Sequence, residues 1–207
     1  AAADGGDMAS VVQRVDHNNK SALADLFLSG RPALLQCAPP AESEYHAAVA
    51  AAAQRLPLGT RVALIHCAAK LPSGRSVYDR FKLDAAVQPT LLVLANAAPP
   101  LQVTHKMLAK AGDYTRSLFP SPAQQAVALA RLVSLKAEPK ASAITSSTEL
   151  YESCVKRKHC ALLLYKGATP PANVSKLVSK LLREYRAVKF HTLNVERYDF
   201  SLASKLP

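Results

Sequence analysis

The chain has 207 residues, with 26 Lys and Arg against 15 Asp and Glu for a formal charge of +11, and domains run to roughly 100–200 residues each. Hydrophobic residues make up 49% of it, 37 of them alanine, which is a globular composition and excludes a disordered one. The longest unbroken apolar run, residues 47–53, is far short of the roughly 18 residues that a membrane-spanning helix needs.

Residues 1–10 read as a flexible lead-in, with neither the apolar core nor the basic front of a secretory signal. With alanine at position 1, the chain reads as a processed product or an excised piece. The β-branched run at 11–15 predicts a strand, and Asn18-Asn19 a turn. Ser21 is placed to cap a short helix through Leu23, Leu26 and Phe27 that Gly30 ends. Residues 33–37 are apolar except for Gln36, as in a strand buried on both faces. Residues 42–55 favour a helix, alanine being the best helix former, with Pro57 and Gly59 as the stop. Residues 61–67 predict a second buried strand. Residues 76–83 predict a helix with Val77, Phe81 and Tyr78 on one face, and 90–95 a third strand opened by Pro89.

Residues 101–104 are placed to pair back antiparallel, and 106–118 read as irregular or partly helical. Ser121-Pro122 starts a helix that ends near Ala137. Residues 138–146 look like a linker. Beyond it the order restarts: a helix over 149–158 capped by Ser147 and Thr148, a buried strand at 160–165, a turn at 167–171, an amphipathic helix at 174–185 and a strand at 187–195. The chain stops partway through this second cycle, and a half-domain of that size is expected to need further chain or a partner over its core.

This order resembles the thioredoxin-like fold twice, an α/β architecture with a central mixed sheet flanked by helices. Residues 11–137 match one complete unit, and 147–207 the front part of a second. The segment Ala85-Ala86-Val87-Gln88-Pro89-Thr90-Leu91-Leu92 resembles the family's strand opened by a cis proline, with Pro89 at that position. On sequence alone a trans proline at a strand start is an equal reading; the resemblance implies cis, a form almost confined to proline. The family's redox chemistry needs two cysteines two residues apart after the first buried strand. The matching positions here are Pro40, Ala41, Glu42 and Ser43, and the equivalent stretch of the second unit, 167–173, also lacks cysteine. Dithiol exchange is thereby excluded at both motif positions, and the chain reads as no enzyme, a single-cysteine redox role staying open.

The four cysteines, at 37, 67, 154 and 160, form no Cys-x-x-Cys pair and no zinc pattern. With this much core, a disulfide framework is not expected. Cys37 and Cys67 each end a buried strand, the two strands being neighbours in the sheet that the resemblance implies, and they read as small buried hydrophobes, against the sharper reading of a redox-sensitive or metal-binding pair. Cys154 and Cys160 read as core or boundary residues. Tyr45 and His46 read as a helix-face pair. No phosphate-binding loop or nucleophile elbow occurs, and no cofactor or metal is implied.

The densest basic run, Lys156-Arg157-Lys158-His159, continues through Arg183, Arg186, Lys189 and Arg197. It offers contacts to an anionic partner, RNA or an acidic surface. A solvated helix end is the favoured alternative, because only 12 residues are aromatic and none is tryptophan. The resulting expectation is a non-catalytic thioredoxin-like scaffold or protein-interaction module, an accessory subunit of a larger mitochondrial complex. The alternative is a client-binding segment of a folding co-chaperone in the endoplasmic reticulum, as the resemblance to relatives of protein disulfide isomerase and to J-domain co-chaperones implies. In either case the groove beside Gln88 and Pro89 is the peptide-facing surface.

Overall fold

All five residues of β2, Ala33–Cys37, are buried, so the strand has to lie inside a sheet covered on both faces. It does. In this computed structural model, which describes residues 13–39, 41–42, 44–112, 120–157 and 159–198, β2 is the middle of a five-stranded sheet. Its companions are β1 (Gln13–Val15), β3 (Arg61–Ile65), β4 (Leu91–Leu94) and β5 (Leu101–Gln102), in the order β1-β3-β2-β4-β5. β1, β3 and β2 run parallel, β4 is antiparallel to β2, and β5 to β4. The connecting helices are α1 (Lys20–Leu28), α2 (Ala47–Ala53) and α3 (Val77–Phe81), followed by α4 (His105–Gly112) and α5 (Pro122–Ala137). With the Gln88–Pro89 peptide bond cis ahead of β4, this is a thioredoxin-like fold.

Alternation along β2 sends successive side chains to opposite faces. Leu34 joins Val49 and Ala52 of α2 and Leu129 and Val133 of α5 on one face. Leu35 joins Leu23 and Leu26 of α1 and Val77 of α3 on the other. The alanines that made residues 47–53 look unremarkable let α2 approach closely, Ala48 and Ala52 being fully buried.

Several boundaries differ from expectation for local reasons. α1 is capped by Asn19, whose Oδ1 accepts from the Ala22 amide at 3.0 Å, and Ser21 lies inside the helix. α2 begins at Ala47 because the buried Gln36 side chain holds the residues before it: its Oε1 accepts from the His46 amide at 2.8 Å, and its Nε2 reaches the Glu44 carbonyl at 3.5 Å. His46 is therefore the cap, its Nδ1 accepting from the Ala48 amide. α3 is fixed by a reciprocal cap between Ser76 and Asp79. That hydrogen bonding lowers the Asp79 pKa from the usual carboxylate range. Its stabilising effect is therefore complete above the unfolded pKa and is lost as pH falls through the folded one.

The chain divides into two compact units, Ala1–Ala137 and Glu138–Pro207. In the second, β6 (Ser142–Ala143), β8 (Lys189–Asn194) and β7 (Cys160–Tyr165) form an all-parallel sheet in the order β6-β8-β7. This repeats the order β1-β3-β2. The stretch read as a linker thus contributes a strand, and Ile144 just after it is buried against Leu150 and Leu193. A two-residue Ser-Ala strand carries no β signal of its own. α6 (Ser147–Leu150) is capped by Ser146, one residue before the predicted caps, and widens into a π-helical turn, Tyr151–Val155. α7 is Ala172–Glu184. Among the described residues β7 is at the edge of its sheet, where β2 has β4 beside it, and its residues are half-buried or exposed, not buried as expected.

The expectations for residues 1–12, for Pro40, Ser43 and Lys158, and for 113–118 fall outside the described residues. Among the described residues, no helix is long and apolar enough to cross a membrane.

Candidate functional site

The carboxyl ends of β1, β2 and β3 come together at one end of the first unit's sheet, and β4 begins there because it runs the other way. His17 follows β1, Cys37 ends β2, and His66 and Cys67 follow β3. Cys37 lies opposite Ile65, and Cys67, two residues further, points to the same side as Ile65. The two cysteines form a disulfide with Cα atoms 5.3 Å apart, inside the usual bonding range. The His17 and His66 rings meet edge to face at 6.0 Å.

The second pair, Cys154–Cys160, is also a disulfide, Cα–Cα 5.2 Å. It ties the π-helical turn to the first residue of β7. Two expectations are corrected here. The cysteines are neither unpaired core residues nor a chain without use for disulfides. The reading of the chain as no enzyme, drawn from the missing dithiol motif, is overturned by two sulfur pairs, one in each unit, that are capable of redox chemistry. Sequence carried a signal for both: an even cysteine count, two at the ends of adjacent parallel strands, and two only six residues apart.

Thr90 organises the approach to the site. It is fully buried, its Oγ1 donates to the Val87 carbonyl at 2.7 Å, and it accepts from the Tyr78 hydroxyl at 3.2 Å. Its carbonyl accepts from the Cys37 amide at 2.9 Å. Those bonds lock the 87–90 loop between α3 and the disulfide. Gln88 and Pro89 stand exposed on top of it, the Gln88 Nε2 donating back to the Ala85 carbonyl at 2.9 Å. Among the described residues, the Gln88 main chain makes no backbone hydrogen bond. Of the positions matching the family's dithiol motif, Ala41 and Glu42 are exposed in the turn ahead of α2. The acidic side chains of Glu42 and Glu44 thus stand before the helix cap, outside the first helical turn.

Tyr45 packs its ring against the Leu34 cluster. Its hydroxyl is buried without a hydrogen-bond partner among the described residues, and burial pushes its pKa up to about 12. A buried hydroxyl left unpaired costs free energy that phenylalanine does not incur. Tyr45→Phe is accordingly expected to hold or raise stability by up to about 1 kcal/mol, read by urea unfolding; a loss above about 1 kcal/mol would mean that the hydroxyl is satisfied.

The basic residues of the second unit divide between two places. Lys156 pairs with Glu152 and lies over the Tyr151 ring at 5.0 Å. Arg157 is exposed, and its charge, after burial, lowers the Lys189 pKa. Arg183 lies on the exposed face of α7 with Lys176 and Lys180. Arg186 is half-buried, and its pKa is lowered first by burial and then by Arg183. Among the described residues, no group of three or more His, Cys, Asp and Glu side chains is placed to hold a metal ion.

No family profile matches this sequence, and no curated protein does. Among solved structures the chain is similar to form II of ERdj5, at 13% identity and a TM-score of 0.37 over 96% of this chain and 24% of that one. It is similar to the zinc-bound form of human ERp44, at 11% identity and a TM-score of 0.37 over 88% of this chain and 47% of that one. The chain thus spans between about a quarter and about half of the length of these structures.

Proposed function

We propose that the chain is a client-binding module of a folding co-chaperone, one that holds extended segments of other polypeptides along the 87–90 loop of its first unit. The observation that carries this reading is the exposed residue Gln88, which has no backbone partner among the described residues and sits in a loop tied down by Thr90 and Tyr78. Backbone amides and carbonyls seek partners, and an extended peptide satisfies them by strand-like pairing that tolerates many side chains. Two disulfides support an oxidising compartment such as the lumen of the endoplasmic reticulum over the mitochondrial matrix.

Binding of a labelled, permanently unfolded polypeptide, followed by fluorescence anisotropy, tests the reading. Affinity is expected to change little with salt. A peptide whose pairing amide is N-methylated should lose up to about tenfold, the worth of one net hydrogen bond. Equal binding by methylated and unmethylated peptides would overturn main-chain pairing.

A second reading, an accessory subunit recruited through charge, is favoured by Arg183, Lys176 and Lys180 on one exposed helix face. It requires the opposite salt response. A protein that makes 6–10 phosphate contacts loses roughly 10³–10⁵ in affinity between about 50 and 200 mM salt.

A further inference from the structure

Asparagine stands two residues before serine at two places, Asn19-Lys20-Ser21 and Asn173-Val174-Ser175, with no proline between. That spacing is the acceptor pattern for an N-linked oligosaccharide, and both asparagines are exposed. Local structure separates them. Asn19 caps α1, its Oδ1 accepting from the Ala22 amide at 3.0 Å, and α1 is anchored just behind that cap by the buried Leu23 and Leu26. Withdrawing such a cap destabilises the helix it starts. Asn173 lies in the first turn of α7, which begins after Pro171 with no side-chain cap. The backbone bond that closes this turn runs from the Ser175 amide to the Pro171 carbonyl at 2.9 Å, and the Ser175 hydroxyl reaches the Pro170 carbonyl only at 3.5 Å. The buried residue of α7, Leu182, lies near its other end. Opening the first turn therefore frees asparagine and serine together at the loss of few bonds, as expected of an uncapped helix end.

We propose that Asn173 is an N-glycosylation site, and that its glycan covers the face of α7 that carries Lys176, Leu177 and Lys180. The inference rests on the lumenal compartment argued above from the disulfides. Positions three, four and seven residues beyond Asn173 share its helix face; all three are exposed, and Leu177 is 55% so. A bulky, solubilising group beside them covers the apolar leucine and bars a large polyanion from the two lysines. The co-reactant is an oligosaccharide carried on a lipid pyrophosphate, supplied with its transferase by the lumenal membrane. In the transfer the bond from the anomeric carbon to the pyrophosphate oxygen breaks, and a bond from that carbon to Nδ2 of Asn173 forms. Nδ2 gives up one proton, and the lipid pyrophosphate leaves with the electron pair of the broken bond. Nothing is oxidised or reduced. Ser175 supplies the hydroxyl that the acceptor pattern requires two residues on.

The test is translation of the radiolabelled full chain behind a cleavable secretory signal in the presence of microsomes, with sites mapped after enzymatic removal of glycan, which leaves aspartate where a glycan was attached. The added signal supplies delivery to the lumen, so an unmodified chain counts against Asn173 and not against the compartment, which alkylation of the four cysteines in intact cells reads separately. The chain should migrate with one added glycan that maps to Asn173. Asn173→Gln and Ser175→Ala should each abolish that shift, Ser175→Thr should keep it, and Asn19→Gln should leave it unchanged. The glycosylated chain should elute from heparin at lower salt than the unmodified Ser175→Ala chain made in the same way. A chain without glycan, a glycan at Asn19 in place of Asn173, a shift that survives Ser175→Ala, or equal elution of the two chains from heparin would each overturn the proposal.

Discussion

A Cys37→Ala/Cys67→Ala variant is expected to lose roughly 3–4 kcal/mol of stability, as a cross-link over a loop of this length confines the unfolded chain by an amount between about 3 kcal/mol for 15 residues and about 4.7 for 100. The separation here is 30 residues. Alanine is chosen because a serine hydroxyl at position 67, which is 1% exposed, would add an unpaired buried polar group. For a unit of this size the loss corresponds to a fall in Tm of roughly 10–15 °C, visible by circular dichroism in non-reducing buffer. A loss below about 1 kcal/mol would show that the two sulfurs are not bonded in the parent protein.

The second large effect lies in β2. Leu34→Ala and Leu35→Ala should each cost about 3–5 kcal/mol, the range for truncating a fully buried leucine. Both side chains are 0% exposed, yet they fill different cores, Leu34 the one under α2 and α5 and Leu35 the one under α1 and α3. Truncating both should be nearly additive, because the two cavities open on opposite faces of the sheet. In the second unit Leu164→Ala should shift unfolding by less than about 1 kcal/mol, since that side chain is 48% exposed on an edge strand. Denaturant unfolding of the three variants separates these cases. A cheap Leu34→Ala would mean that β2 is covered on one face only.

These contrasts show which parts of the fold were legible in the residues. β2, β3 and β4 were readable because strands buried on both faces must be apolar almost throughout. Position 89 was readable because the strand after it could not begin elsewhere without putting proline into the ladder. β6 was not, since two exposed residues, Ser142 and Ala143, are defined by their pairing to His191 and Thr192 and by the Ser142 Oγ to His191 Nδ1 contact at 2.7 Å. The start of α2 was misplaced because helix propensity in residues 42–46 lost to a tertiary contact, the Gln36 side chain seizing the His46 amide. The disulfides were missed for a different reason. Composition argued that a core of this size needs no cross-links, and that argument outweighed the placement of Cys37 and Cys67 at the ends of neighbouring strands; the register that brings the two into bonding range is fixed only by the pairing of β2 with β3. Of the candidate site, Gln88 and Pro89 were singled out by the resemblance to the thioredoxin-like fold, and the bond between them is cis. Thr90 and Tyr78, which hold them in position, were not.

The pairing of sulfurs also alters what the charge of +11 means. Arg157 and Lys189 gather beside one disulfide instead of forming a uniform basic face, and Arg183 with Lys176 and Lys180 occupies a separate helix surface.

The most direct measurement is hydrogen exchange at the Gln88 amide, resolved by NMR, with and without a saturating unfolded polypeptide. The amide should exchange rapidly in the free protein, where it has no backbone partner among the described residues, and slow by at least about tenfold when a client strand accepts from it. Unchanged exchange at Gln88 under saturating client, with protection appearing instead on β7 or on the basic face of α7, would contradict the account.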